Sequence, residues 1–207
     1  MIKFKLPFFF CILFFIACGN EPGNGRPLEQ KPKTNTTSNL IKRSPKIEDF
    51  PFEKTQISFD QIESKTFEAG RLSDFTNSCK FVFECDCCFG EIIFNPDRSF
   101  YFIDYCMMDI AVPQGIYNIE NNRLILNYSG YARRKEYNWQ REVDSTLVEY
   151  FLKDTTVTSV TQTYETQKCN NQLTFISKEK DHTFILLETE GDYQKAIQNL
   201  KKEALID

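Results

Sequence analysis

The feature that most constrains the fold is a series of short runs of Phe, Ile, Tyr, Thr and Val, separated by turn residues, that begins after Ile47. Runs of this kind at regular spacing indicate antiparallel strands. Segments 90–94 and 99–105 are joined by NPDR at 95–98. Asn at the first and Pro at the second position favour a type I turn. The sequence therefore predicts a β-hairpin here.

Paired asparagines predict two further hairpins, because asparagine tolerates the positive φ angles that tight two-residue turns require. Asn121 and Asn122 form one such pair, and Asn170 and Asn171 form the other. Segment 57–78 is compatible with either a short helix or strands. Including the first hairpin, the candidate strands are 80–84, 90–94, 99–105, 115–120, 123–128, 146–152, 156–166, 172–177 and 183–188. Eight antiparallel strands can close a small barrel, so we predict a mainly β barrel of about eight strands.

The last segment, 192–206, has the periodicity of an amphipathic helix. Its apolar residues recur at helical spacing, and its lysines near the C-terminal end suit the helix dipole. The apolar positions are Tyr193, Ala196, Ile197, Leu200, Ala204 and Leu205. We expect this helix to pack on the outside of the barrel.

The first residues have the pattern of an export signal. Lys3 and Lys5 precede an apolar run over 6–17 that contains no acidic residue. A membrane-spanning helix needs about 20 apolar residues, and this run is shorter and is interrupted by Pro7. A signal peptide over 1–17 therefore fits better than an anchor helix.

The end of this run, Phe15-Ile16-Ala17-Cys18-Gly19, resembles the lipobox of bacterial lipoprotein precursors, with Phe15 where leucine is commonest. The resemblance implies that Cys18 becomes the lipidated N-terminus, carrying diacylglycerol and fatty acyl chains such as palmitate. It also implies a lipoprotein anchored in the cell envelope of a diderm bacterium, at its outer membrane. An ordinary secretory signal cut near Ala17 is the alternative, and both export the protein.

Residues 18–46 predict a flexible tether, because they are rich in proline, glycine and polar residues and offer little surface to bury. The remaining segment, 47–207, is long enough for one β-rich domain with its own core. Removing 1–17 takes away two lysines and no acid, so the net charge changes from −4 to −6. An acidic exported domain is a poor candidate for nucleic-acid binding.

Six cysteines remain after Cys11 in the signal and Cys18 are set aside, and an oxidising compartment favours three disulfides. Six cysteines allow 15 pairings, and the sequence does not select one. The candidates are Cys79, Cys85, Cys87, Cys88, Cys106 and Cys169. A bond between the neighbours Cys87 and Cys88 would be strained, whereas Cys85 could close on Cys88 or on a distant partner.

A soft metal site is the alternative use of these thiols. Cys85, Cys87 and Cys88, with Cys106 or Cys79, could supply thiolates to Cu(I) or Zn. No second histidine supports such a site, and His182, the one histidine, lies in a predicted turn. We therefore expect no cofactor, and keep Cu(I) or Zn binding as the alternative.

Segment 85–128 contains a C-x-x-C, an aspartate turn between two strands, and G-x-Y and L-x-L pairs. These features lie at Cys85, Cys88, Gly90, Ile92, Phe94, Asp97, Phe100, Gly115, Tyr117, Leu124 and Leu126. In this pattern the segment resembles the small barrel of the copper-stress envelope lipoproteins of the NlpE type, and the G-x-Y and L-x-L pairs are shared with lipocalin-like domains. This chain adds Cys87 and lacks a second C-x-x-C. The resemblance implies a lipocalin-like barrel and, less directly, a copper or redox stress sensor.

A basic and aromatic segment, YARRKEYNWQRE at 131–142, could bind a polyanion, but it fits better as a long hairpin with a solvated basic edge that blocks edge pairing.

No catalytic motif is present, so the sequence predicts that the protein is not an enzyme. The expected role is a binding or interaction module for a small apolar ligand or an envelope protein partner.

Overall fold

The computed structural model describes residues 45–84, 89–179 and 182–207, which contain ten strands and one α-helix. The signal, Cys18 and nearly all of the tether lie outside these residues. The strands are β1 (Phe52–Lys54), β2 (Lys65–Arg71), β3 (Phe89–Phe94), β4 (Ser99–Cys106), β5 (Asp109–Glu120), β6 (Arg123–Tyr137), β7 (Tyr150–Thr156), β8 (Thr161–Cys169), β9 (Gln172–Lys178) and β10 (Thr183–Glu188). The helix, α1, spans Tyr193–Lys202.

Eight of the described strands close an antiparallel barrel, which confirms the predicted fold class. Their order around the barrel is β8, β9, β10, β2, β3, β4, β5 and β6, and β6 pairs back with β8. β1 and β7 pair only with β8 and β6, so they lie outside the closed ring. The turns after β3, β5 and β8 therefore lie at one end of the barrel, here called the lower end.

The predicted hairpin turns are confirmed by backbone geometry. Asn121 and Asn122 have φ values of 51° and 62°, and Asn170 and Asn171 have 47° and 69°. Two consecutive residues with positive φ are typical of a type I′ turn, whose twist matches that of the flanking strands. The asparagines thus fix the registers of two hairpins.

Several predicted boundaries are wrong. Segment 57–78, left open, contains the barrel strand β2, whereas the predicted strand 80–84 forms only an isolated bridge between Phe75 and Phe81. The strands predicted at 146–152 and 156–166 are found at Tyr150–Thr156 and Thr161–Cys169. β6 also extends nine residues beyond the predicted 123–128.

Aromatic and aliphatic side chains fill the middle of the barrel. Strand residues alternate between the two faces of a sheet, and the inward positions carry the largest fully buried side chains. Those from the walls are Phe67, Phe94, Phe100, Phe175, Ile92, Leu124, Leu126 and Leu186. Burying side chains of this size contributes about 1.5–3 kcal/mol each, so this cluster is the main source of stability.

The segment before β2 closes the lower end of the barrel. Ile62 is fully buried, and Ile57 and Phe59 pack against the same core cluster. Asn122 fixes this segment by accepting a hydrogen bond from the Ile57 backbone N–H (2.9 Å) and donating one to the Thr55 carbonyl (2.6 Å). The barrel is therefore plugged at the end where its tight turns lie.

Helix α1 packs on the outer face of β3, β4 and β5, as predicted. Leu200 and Leu205 contact Ile93, Ile103 and Val112, which point away from the barrel interior. Asp192 caps the helix by accepting a hydrogen bond from the Lys195 backbone N–H (3.1 Å). The helix ends earlier than the predicted residue 206.

Candidate functional site

The upper end of the barrel carries charged residues at inward-facing positions. Asp104 on β4 is in register with Ala111 on β5, which is in register with Arg134 on β6. Phe100, a buried core residue, lies four positions before Asp104 on the same face of β4. The inward side chains therefore change from aromatic to charged toward this end, here called the open end.

The Asp104 carboxylate lacks hydrogen-bond partners among the described residues, and the residue is half-buried. Burial disfavours the ionised form and raises the pKa of Asp104 to about 6, while the charge of Arg134 acts in the opposite direction. A carboxyl group with this pKa is largely ionised at neutral pH. The open end thus holds a half-buried negative charge that the charge of Arg134 only partly compensates.

Arg134 is held by two carboxylates but retains an unused donor. Its Nη1 lies 3.4 Å from Oε1 of Glu136, and its Nη2 lies 3.9 Å from Oδ2 of Asp109. Its Nε is buried and has no hydrogen-bond partner in the described part of the chain. Asp109 is itself fixed, because it accepts a hydrogen bond from the Tyr137 backbone N–H (2.9 Å). The guanidinium group is therefore positioned with one N–H unsatisfied.

Two tyrosines also face the interior: Tyr128 on β6, the strand of Arg134, and Tyr164 on β8, which pairs with β6. The Tyr164 hydroxyl donates to Oε1 of Gln162 (3.1 Å), whose Nε2 donates to Oε1 of Glu179 (3.2 Å). Tyr128 packs edge-on against Phe100, with ring centroids 5.0 Å apart. Burial and the Asp104 charge raise the pKa of Tyr128, which places both residues in one environment. No hydrogen bond to the Tyr128 hydroxyl is found over 45–84, 89–179 and 182–207.

Half-buried aromatic rings complete these walls. Phe102 on β4 and Phe184 on β10 pack against the core cluster while retaining solvent contact. The open end consequently combines aromatic surface with a few polar groups, among them the unpartnered Nε of Arg134, a combination typical of sites for small molecules.

Two of the predicted disulfide cysteines are bonded to each other. Cys79 and Cys169 form a disulfide with a Cα–Cα distance of 5.7 Å, which joins the β2–β3 connection to the end of β8. Cys106 is also disulfide-bonded. Cys85, Cys87 and Cys88, like Cys18, lie outside the described residues. The bond pins a long connection against the barrel wall, with both sulfurs in a buried apolar cluster.

The alternative of a metal site gains no support where the structure can be described. The Cys106 sulfur, one of the proposed ligands, is not free to bind metal as a thiolate while it is disulfide-bonded. No group of three or more His, Cys, Asp or Glu residues suited to a metal ion is found among the described residues. His182 is half-buried, and its ring centroid lies 6.4 Å from that of Phe184.

The basic segment forms a hairpin, as predicted, but it is not the edge of the sheet. β6 lies between β5 and β7, so β7 is the outer strand. The basic side chains have acidic partners: Arg133 contacts Asp154 (3.0 Å) and Asp207 (3.1 Å), and Lys135 contacts Glu203. These pairs tie the hairpin to the C-terminal segment and leave little basic surface for a polyanion.

Sequence reasoning did not identify Asp104 or Tyr128 as site residues, and it placed Arg134 in the basic segment. The available signal was the alternation Phe100-x-Phe102-x-Asp104, which puts an acid on the buried face of a strand. An ionisable residue at an inward position is costly unless it serves a partner or a ligand.

None of the described helices is long and apolar enough to cross a membrane. No family model matches the chain, and no curated protein matches it. Among solved structures, the chain is similar to a streptavidin-like protein from Bacteroides eggerthii DSM 20697. That similarity has a TM-score of 0.47 and 9% sequence identity, and it covers 66% of this chain and 86% of that chain.

Proposed function

We propose that this chain is an envelope lipoprotein whose barrel binds a small amphipathic molecule at its open end. The observation that carries the proposal is the buried Nε of Arg134, which has no hydrogen-bond partner among the described residues, near the half-buried Asp104 and beside half-buried aromatic rings. Leaving a buried polar group unsatisfied costs about 1–3 kcal/mol. A ligand that supplies the missing partners would recover part of this free energy.

The packing of the barrel limits the kind of ligand. Phe67, Phe94 and Phe175 fill the middle of the interior with fully buried rings, so a long apolar chain has no room to pass down the barrel axis. The ligand therefore occupies the part of the barrel interior nearest the open end, with its apolar part against Phe102 and Phe184. A hydrogen-bond donor or a cationic group on the ligand would then meet Asp104.

Anchoring follows from the sequence resemblance at Cys18. Two or more acyl chains hold a protein stably on a membrane, whereas one chain holds it only marginally. We expect the mature protein to remain in the membrane fraction of the envelope and Cys18→Ala to release it or block its maturation. An unlipidated, soluble mature protein would contradict this part of the proposal.

The binding proposal is tested by native mass spectrometry of the chain from Gly19 to Asp207, incubated with a small-molecule extract of the bacterial envelope. We expect a stoichiometric adduct of one small molecule, because a barrel of this size can hold one small ligand. Asp104→Asn and Arg134→Gln should each weaken it at least tenfold, because each removes a charged contact.

Glu91→Gln is the matched control. Glu91 lies on the neighbouring strand β3, and burial also raises the pKa of its carboxyl group, but its side chain points to the outer face together with Glu68. This variant should retain the adduct. An adduct that persists in Asp104→Asn, or that Glu91→Gln removes equally, would place binding elsewhere and refute the proposal.

A further inference from the structure

The hairpin formed by β6 and β7 projects beyond the barrel and ends in exposed apolar side chains. Among the described strands, the upper half of β6 pairs with β5 and β7 and not with β8. The connection between β6 and β7 carries four exposed apolar residues, Trp139 (55%), Val143 (93%), Leu147 (36%) and Val148 (59%). Met107, in the neighbouring β4–β5 turn, is 72% exposed. These five residues are here called the apolar tip.

The backbone of the tip is ordered by its own hydrogen bonds. The Asn138 side chain donates to the Val148 carbonyl (2.9 Å), and the Asn138 backbone N–H donates to the Glu149 carbonyl (2.8 Å). The Val143 backbone N–H donates to the Gln140 carbonyl (3.1 Å). These hydrogen bonds order the backbone of the connection, which presents the apolar side chains to solvent. Backbone groups that are satisfied internally are also a requirement for entering an apolar phase.

Charge and position indicate what covers the tip. Segment 138–149 carries Arg141 against three acids, Glu142, Asp144 and Glu149, and Arg141 pairs with Glu149 at 3.6 Å. Such a segment is not attracted to a polyanion. The apolar tip, in a segment whose single basic residue is paired, is instead suited to insertion between neutral lipid headgroups, the region of a bilayer in which tryptophan is enriched.

The chain outside the described residues makes such contact feasible. The tether predicted from the sequence would, over residues 18–44, reach roughly 30 Å on average if it is a flexible coil and about 90 Å at full extension. β6, the longest strand, spans about 50 Å at 3.3 Å per residue. A lipid anchor at Cys18 would therefore leave the tip free to reach the same membrane.

We propose that the apolar tip inserts into the interfacial layer of a lipid bilayer. The contact is driven by the burial of apolar side chains and not by charge. It follows that vesicles of neutral lipids are sufficient for binding, that added salt does not weaken it, and that anionic lipids do not strengthen it. This inference does not depend on ligand binding at the open end.

Trp139 reports on the contact directly, because it is the one tryptophan of the chain. The experiment mixes the chain from Gly19 to Asp207, which contains all the described strands and lacks the lipid, with phosphatidylcholine vesicles that carry brominated acyl chains. We expect the Trp139 emission to shift to shorter wavelength and to be quenched, and the protein to float with the vesicles. Val143→Asp should lower the partition coefficient at least tenfold, since it replaces an inserted apolar side chain by a charge.

Ile116→Asp is the matched control, because Ile116 is 62% exposed on β5 and lies away from the tip. This variant should bind vesicles as the parent chain does. Absence of a spectral change, or equal losses in the two variants, would refute the proposal. A blue shift that grows with protein concentration without vesicles would instead identify a second copy as the occupant. Binding that requires anionic lipids and is lost in salt would likewise overturn it.

Discussion

Replacement of Asp104 by asparagine is expected to stabilise the protein at neutral pH. The folded-state pKa of Asp104 is raised from 3.8 to about 6, so the folded state binds this proton more tightly than the unfolded chain does. The resulting penalty is absent well below pH 3.8, grows as the pH rises toward 6 and is complete above pH 6. A pKa difference of this size corresponds to about 3 kcal/mol, at 1.36 kcal/mol for a tenfold change in affinity.

Asparagine carries no charge and therefore avoids this penalty. The free energy of unfolding of Asp104→Asn should exceed that of the parent chain by up to about 3 kcal/mol at pH 7.5, and by less than about 1 kcal/mol at pH 4. Urea unfolding followed by circular dichroism at the two pH values measures both differences. A loss of stability at pH 7.5, or equal gains at both pH values, would refute the reasoning.

Asp97→Asn provides a contrast of opposite sign. Asp97 accepts hydrogen bonds from the Ser99 hydroxyl (2.6 Å) and the Ser99 backbone N–H (2.9 Å), and these bonds lower the pKa of its carboxyl group. Its ionised form therefore stabilises the fold above the ordinary pKa, and this contribution is lost as the pH falls through the lowered value. The variant should be less stable than the parent chain at pH 7.5, with the difference decreasing at lower pH.

Three further changes should be destabilising. The double variant Cys79→Ser, Cys169→Ser removes a disulfide that closes a loop of 90 residues. Its free energy of unfolding, measured without reductant, should fall by about 4–5 kcal/mol, and an unchanged unfolding midpoint would contradict this. Gly115→Ala places a Cβ 2.1 Å from the Asn127 carbonyl oxygen, so the melting temperature should fall. An unchanged melting temperature would mean that β5 and β6 move apart at no cost in stability. Leu200→Ala should cost about 2–5 kcal/mol by leaving a cavity under α1, whereas a loss below 1 kcal/mol would mean that the helix contributes little.

The sequence predicted the features that depend on local chemistry. Asn121 and Asn170 each begin a pair with positive φ angles and so determine where two hairpins turn. The apolar residues that recur at helical spacing up to Leu200 likewise predict which face of the helix packs on the barrel. In these places a residue type carries the conformational preference itself, so no knowledge of the rest of the chain is needed.

Strand β2 lies in segment 57–78, which the sequence leaves open between a short helix and strands, because the local strand preference of this segment is weak. Its sequence, KTFEAGR, includes Ala69 and Gly70, which have low strand propensity, and it becomes a strand through pairing with β3 on one side and β10 on the other. Segment 80–84 shows the converse, since it has the composition of a strand, yet Phe81 and Phe83 lie over Gly70 on the outer face. Tertiary pairing determines both outcomes.

The candidate site could not be predicted because it depends on register across three strands. Asp104 and Arg134 are 30 positions apart in the sequence, and they lie on the same face near each other only because both are in register with Ala111. A shift of one residue in either pairing would turn one of these side chains to the outer face. The sequence alone does not determine such a register, although it supplies the hairpin turns on which the register depends.

The most direct test of the account is the titration of the Asp104 carboxyl carbon, followed by ¹³C nuclear magnetic resonance with and without the envelope extract. We predict a midpoint near pH 6 for Asp104 in the free protein and a displaced midpoint when the ligand is bound, while Asp97 titrates below its ordinary value in both samples. A midpoint near 3.8 for Asp104 in the free protein, unchanged by the extract, would contradict both the burial of this carboxyl group at the open end and its contact with a ligand.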